Sequence, residues 1–301
     1  MDLVITNLSK TYPNGVRALD NISLTIPQGM FGLLGPNGAG KSSLMRTIAT
    51  LQEPDSGSIQ FGDVNVLVQK EDVRRMLGYL PQEFGLYPNL SAETILDHFA
   101  VLKGITNGRE RKEQVQYLLN RTNLWENRRK HVGGFSGGMK QRLGIAIALL
   151  GSPKLIIVDE PTAGLDPTER HRFLNLLSEL GENIVVILST HIVEDVRELC
   201  SSMAIINKGK VALSGSPESV IENMRGKIWK RFVSKSEMDS ITSNYSVIST
   251  RMVSGKPLVH VYSDTPLADG FVNIEPDLED VYFHQIAQLQ SAAASPSSEG
   301  E

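Results

Sequence analysis

"MFGLLGPNGAGKSSLMRTIA", residues 30 to 49, runs from an uncharged apolar stretch through a glycine-rich turn into an amphipathic one. The apolar part, Met30 to Leu34, has the length of a strand crossing a buried sheet and is too short for a helix. In the turn, Gly35, Gly40, Lys41 and Ser42 fit G-x-x-x-x-G-K-[ST] across "GPNGAGKS". The segment Gly35, Pro36, Asn37, Gly38, Ala39 and Gly40 lets backbone N–H groups curl around phosphate oxygens, and a helix starting at Lys41 adds the partial positive charge of its N-terminus. Lys41 is expected to reach the outer phosphates and the Ser42 hydroxyl to bind Mg2+, with Ser43 in the same phosphate-binding turn. Strand, cradle and helix in this order predict an α/β fold of the P-loop type.

Two carboxylates close a second apolar run, "LIIVDE", at residues 155 to 160. A buried sheet delivers both to the phosphate loop, and adjacent strand residues face opposite ways, so Asp159 and Glu160 are expected to do different work. Asp159 is the candidate for the Mg2+ shell and Glu160 for polarising an attacking water. A third run, "NIVVILST" at 183 to 190, leads into His191, which is placed to meet the γ-phosphate. Gln82, after the strand candidate "MLGYLP" at 76 to 81, is placed to sense the metal or the water.

Downstream lies "FSGGMKQRLGIAIALL", residues 135 to 150, in which Ser136, Gly137 and Gly138 open an apolar helix. That is a second anion cradle, and one nucleotide needs only one.

The composition is that of an ordinary globular protein: 301 residues, 41% hydrophobic and 21% charged. A formal net charge of -4 argues against a broad nucleic-acid-binding surface, and no nucleic-acid partner is expected. The single cysteine, Cys200, can form no internal disulfide and fits a reducing cytoplasm. "MDLVITNLSK" is strand-like and lacks the pattern of a secretion signal, and the apolar stretches "LGIAIALL" and "LIIV" are too short to span a bilayer. If a membrane is involved, another chain must cross it.

Strand-like runs "ISLTI", "MFGLLG", "LIIVDE" and "NIVVILST" alternate with helical patterns. From residue 84 to 152 the character is helical throughout, which predicts a subdomain inserted in the α/β core. One of its helices starts near Ser91 and is expected to bury Ile95, Leu96, Phe99 and Leu102, with His98 on its surface or in its core. Residues 223 to 290 read as a small α+β domain: "KIWKRFVS", a polar helix candidate "SEMDSITSNY", two strands around a Ser-Gly turn in "VISTRMVSGKPLVHVYS", and a last helix "DLEDVYFHQIAQLQ". The composition of residues 291 to 301 predicts a disordered tail.

With these residues in place, roughly residues 2 to 222 resemble the ATP-binding-cassette (ABC) ATPases. The resemblance implies that Tyr12 stacks on adenine, that Gln82 joins the catalytic core to the helical subdomain, and that "FSGGMKQR" is the family signature. It further implies Asp159 as the magnesium aspartate, Glu160 as the catalytic glutamate, "GLDP" at 164 to 167 as a dimer-contact loop and His191 as the switch histidine. The signature departs from the family pattern at Phe135 and Met139, where leucine and glutamine are usual. In the family two cassettes pack head to tail, so Ser136, Gly137 and Gly138 would complete the ATP site of a partner, either a second copy or a paralogous cassette.

The family also contains DNA-repair ATPases with a long coiled-coil insert and ribosome-acting factors with two cassettes per chain, and neither feature is present. The resemblance therefore implies the ATP-hydrolysing subunit of a transporter, peripheral on the cytoplasmic face of the membrane and bound to a separate permease. Phe84, Leu86, Tyr87 and Leu90 are candidates to line the permease groove. The ending "EPDLEDVYFHQI" is similar to cassettes of bacterial drug, sodium, lipid or polysaccharide exporters, which favours export. The alternative is a regulatory ABC ATPase acting on a soluble partner.

Overall fold

The structure, a computed structural model, describes residues 1–162, 164–179, 184–268 and 270–294, the side chains of 289–294 excepted. The chain divides into two compact units, Met1–Val211 and Ala212–Glu301.

The first unit opens with β1 (Leu3–Thr11), β2 (Arg17–Ile26) and β3 (Gly29–Leu34), followed by α1 (Lys41–Ile48). Next come β4 (Ser56–Phe61), β5 (Val64–Asn65), α2 (Lys70–Met76) and β6 (Leu77–Leu80). Strands β1, β2, β4 and β5 form an antiparallel sheet in the order β2-β1-β4-β5. Its core side carries Leu3, Ile5, Ile59 and Phe61, each almost fully buried. Short period-two strands of this kind bury one face only.

Between β6 and the next strand lie α3 (Ala92–Leu102), α4 (Gly108–Arg121) and α5 (Gly137–Ala148). Ser91 caps α3, its hydroxyl accepting from Thr94 N–H at 3.2 Å. The buried face of α3 is Ala92, Ile95, Leu96 and Ala100. Phe99 is only half-buried, His98 is exposed, and Leu102 is exposed because it sits in the last turn, against the Lys103 cap, where the chain leaves the helix.

The core then resumes with β7 (Leu155–Asp159), α6 (Pro167–Ser178), β8 (Val185–Thr190), α7 (Val193–Leu199), β9 (Ser202–Asn207) and β10 (Lys210–Gly215). The second sheet has the order β10-β9-β3-β8-β7-β6, and β3, β6, β7, β8 and β9 pair in parallel. All residues of β7 and β8 are buried, as expected of strands covered on both faces. The strand order places the carboxyl ends of β3, β8 and β7 side by side, where a ligand site is expected in an open parallel sheet.

The compact units divide after Val211, whereas the sequence reading places the domain boundary at 222. The division falls inside β10, a continuous strand with no linker composition to mark it. Unit two continues with α8 (Pro217–Glu222), β11 (Ile228–Phe232), α9 (Met238–Asn244), β12 (Ser246–Val253), β13 (Lys256–Tyr262), β14 (Val272–Asn273) and α10 (Leu278–Ala294). Its antiparallel sheet has the order β12-β13-β11-β14, and Ser254 and Gly255, at φ +50° and +79°, turn β12 into β13. Asp277 Oδ1 accepts from Asp280 N–H while Asp280 Oδ2 accepts from Asp277 N–H, a reciprocal cap that starts α10. His260 Nδ1 on β13 meets Asp280 Oδ1 on α10 at 2.7 Å. Helix α10 extends through residues 291–294, the first four of the tail read as disordered, and their three alanines are good helix formers. Residues 295–301 lie outside the described residues.

Cys200, after α7, is 5% exposed, and burial pushes its thiol up to about 12. The native chain is therefore expected to resist alkylation by iodoacetamide near neutral pH and to react fully once unfolded in urea, as mass spectrometry would show. No helix of the described residues is long and apolar enough to cross a membrane.

Candidate functional site

A cavity of about 260 Å³ is lined by Tyr12, Asn37, Gly38, Gly40, Lys41, Ser42, Ser43, Gln82 and Glu160, with Val16, Ala18 and Ala39. The turn between β3 and α1 forms its floor. Gly40 caps α1 with φ +109°, and an added Cβ would run into the carbonyl oxygen of Ala18. Only glycine combines that conformation with that approach. No side chain caps α1, so its first N–H groups have no side-chain partner and face the turn.

Lys41 is 6% exposed, and its ammonium donates to Gly35 O at 2.6 Å and Pro36 O at 3.3 Å. Burial pushes its pKa below the ordinary lysine value, against the opposing pull of Glu160 and Asp159. The Lys41 ammonium lies 4.0 Å from Glu160 Oε1, a buried pair of opposite charge at the mouth of the loop.

Asp159 ends β7, and Glu160 follows it with φ +49°, a left-handed conformation costing about 1 to 3 kcal/mol for a residue with a side chain. Its N–H donates to Ser189 O at 2.8 Å, which fixes this kink against β8. Glu160 Oε2 lies 2.5 Å from His191 Nδ1, so the carboxylate is held between the lysine and the histidine. His191 is half exposed. Burial pushes the Asp159 carboxyl above its ordinary range, and the neighbouring Glu160 adds to the effect. Asp159 Oδ2 sits 3.5 Å from Ser42 Oγ, and its Oδ1 is buried without a hydrogen-bond partner. Two hard oxygens, one of them orphaned, on a carboxylate that burial disfavours are a donor set suited to a divalent cation such as Mg2+.

The loop after Glu160 is anchored by Asp195 on α7, which is fully buried. It accepts from Thr162 Oγ1 at 2.8 Å and from Arg170 Nε of α6 at 2.8 Å. Asp166 of "GLDP" caps α6, accepting from Glu169 N–H at 3.0 Å.

Ser136, Gly137 and Gly138 do not line this cavity. They form the start of α5, with Ser136 as its cap, accepting from Met139 N–H at 3.2 Å. Ser136 and Gly137 are exposed, while Gly138 is buried with the Glu169 carboxylate directly against it. Glu169 in turn pairs with Arg142 of α5 and, at 2.9 Å, with Arg172. Glu169 lies in no motif, and Arg142, the last residue of "FSGGMKQR", carried no role of its own in the sequence. Their only signal is an acidic residue in the first turn of α6 facing a basic one on α5.

Beside this cavity, and sharing Gln82 with it, lies a groove of about 600 Å³. Its walls include Gln82, Phe84, Leu86 and Pro88 on one side and Val132, Gly137 and Lys140 on the other. Tyr87 and Leu90, expected in such a groove, are exposed but do not line it.

A family model described as ABC transporter matches residues 19–163. The linearmycin resistance ATP-binding protein LnrL of Bacillus subtilis (strain 168) is 36% identical over 222 residues, covering 73% of this chain and 71% of that protein. The methionine import ATP-binding protein MetN of Histophilus somni (strain 129Pt) is 36% identical over 242 residues, covering 76% and 69%. A solved dimeric post-hydrolysis state of the ATP-binding cassette MJ0796, bound to ADP and Pi, superposes with a TM-score of 0.65 at 27% identity, covering 71% of this chain and 98% of that one. A phosphate loop, a buried carboxylate pair and a glycine-started helix on this fold, together with these similarities, lead to one assignment: the chain belongs to the ABC transporter family as an ATP-binding, ATP-hydrolysing cassette.

Proposed function

We propose that the chain powers export through a separate membrane permease, with two cassettes closing on ATP and reopening after hydrolysis. The observation that carries this reading is the position of Gln82, which lines both the nucleotide cavity and the adjoining groove. A permease segment seated against Phe84 and Leu86 would lie beside the residue that this reading assigns to the metal and the attacking water. Gly137 and Lys140, which also line the groove, belong to the helix that starts at the signature. A single partner segment in the groove thus reports on both anion cradles.

In this reading ATP stacks its base on Tyr12 and lays its phosphates in the turn from Gly35 to Ser43. Lys41 exchanges its bonds to Gly35 and Pro36 for phosphate oxygens, which are better acceptors because they are charged. Ser42, Asp159 and Gln82 would hold Mg2+, which supplies charge neutralisation for the phosphates. Glu160 takes a proton from the attacking water, and His191 orients Glu160 and the γ-phosphate. Ser136, Gly137 and Gly138 contribute the start of α5 to the nucleotide of the partner cassette. Export is favoured by the C-terminal residues "EPDLEDVYFHQI", which resemble those of exporter cassettes.

The test is isolation of the full chain from its own cells. Retention on membranes together with an integral-membrane chain is expected, and Phe84→Asp with Leu86→Asp should release it while ATP binding persists. A chain that leaves membranes freely and travels only with soluble proteins would sink the transporter assignment in favour of a regulatory ATPase.

A further inference from the structure

Tyr12 follows β1 in a tight turn, its N–H donating to Val16 O at 2.9 Å and its carbonyl accepting from Gly15 N–H at 2.9 Å. The backbone is thus fixed, but a ring projecting from a turn still swings about its side-chain torsions. Here the ring is held at its far end as well. The Tyr12 hydroxyl lies 3.0 Å from Gln52 Oε1 and 3.0 Å from Ser43 Oγ.

Proton bookkeeping assigns the directions. Gln52 Nε2 donates to Ser43 O at 2.8 Å and to Thr47 Oγ1 at 2.9 Å, which uses both amide hydrogens and sets the orientation of the amide. Its oxygen can only accept, so the one hydroxyl proton of Tyr12 goes to Gln52. The contact with Ser43 is then made by the serine hydroxyl donating to the tyrosine oxygen. Ser43 can therefore turn its proton to an incoming phosphate while Tyr12 stays bonded to Gln52. Gln52 itself is tied to α1, the helix that carries the phosphate loop, through Ser43 and Thr47.

We propose that Gln52 is a positioning residue that locks the Tyr12 ring to the phosphate-loop helix, so that an aromatic base and a triphosphate are bound by one rigid unit. The proposal rests on the assignment of Tyr12 as the base platform. No motif of the sequence marks Gln52. Its role follows from the three bonds that its side chain makes.

Equilibrium binding of ATP and of inorganic tripolyphosphate to the full chain separates the base platform from the phosphate loop. Gln52→Leu is expected to weaken ATP about fivefold, the worth of roughly one neutral hydrogen bond. It should leave tripolyphosphate nearly unchanged and raise KM for ATP far more than it alters kcat. Tyr12→Phe removes only the hydroxyl, carries little folding risk, and should reproduce the effect. The double variant should lose no more than either single one, because both break the same bond. Equal weakening of ATP and tripolyphosphate by Gln52→Leu, unchanged ATP binding in both single variants, or losses that multiply in the double variant would each overturn the proposal. Tyr12→Ala serves as the control on its premise. If deleting the ring leaves the preference for ATP over tripolyphosphate intact, the base platform itself is misassigned. If it abolishes the preference while Tyr12→Phe and Gln52→Leu do not, only the role of Gln52 fails.

Discussion

Glu160→Gln lowers ATP turnover by about a hundredfold to ten-thousandfold, the usual worth of a positioned general base, while ATP binding persists and an ATP-bound dimer accumulates. The substitution keeps the volume of a side chain that is 9% exposed, so it opens no cavity. What it removes is the ability to accept a proton from water. Phosphate release measures the first effect, and size-exclusion chromatography with ATP the second. Wild-type turnover in this variant would remove Glu160 from the chemistry. A secondary effect has a definite sign: Glu160 and Asp159 both oppose the burial that depresses the Lys41 pKa. Losing one of them depresses it further, so ATP binding in the variant should weaken at a lower alkaline pH than in the parent.

Mixing a Lys41→Ala chain with a Ser136→Arg chain restores hydrolysis that neither has alone. Lys41 lines the nucleotide cavity, whereas Ser136 caps α5 and does not line that cavity. If each ATP is held by the phosphate loop of one chain and the α5 start of the other, the mixed dimer collects both lesions in one site and leaves its second site whole. Arginine at 136 removes the cap and fills the space in front of α5 with a long side chain. ATPase activity of the mixture above that of both parents is the expected result. Activity no higher than theirs would mean that Ser136 acts within its own chain.

The parts of the site that were legible in the sequence are those in which a few consecutive residues carry a whole chemical unit. Gly35 to Ser43 and the pair Asp159 and Glu160 are of this kind, because a turn or a strand end brings neighbours in sequence together. The antiparallel strands β4 and β5 were not foreseen: β4 has a mixed burial pattern and opens with Ser-Gly-Ser, and β5 is only two residues long. Strand β9 is a short apolar run, and periodicity alone cannot tell such a run from buried helix. The contacts of Gln52 with Tyr12, of Glu169 with Arg142 and of Asp195 with Thr162 and Arg170 join elements far apart in the chain, so these side-chain partners exist only after folding. Leu102 shows the converse error. Helical spacing put it on the buried face, but the end of α3 left it exposed.

The left-handed backbone at Glu160 sets two selective pressures against each other. Asparagine and glycine adopt φ near +49° more comfortably than glutamate. A library of variants screened for heat resistance alone would therefore drift toward them at this position and discard hydrolysis on the way. In any set of thermostable descendants, the residue found at 160 distinguishes lineages that were also required to turn over ATP from those that were only required to stay folded.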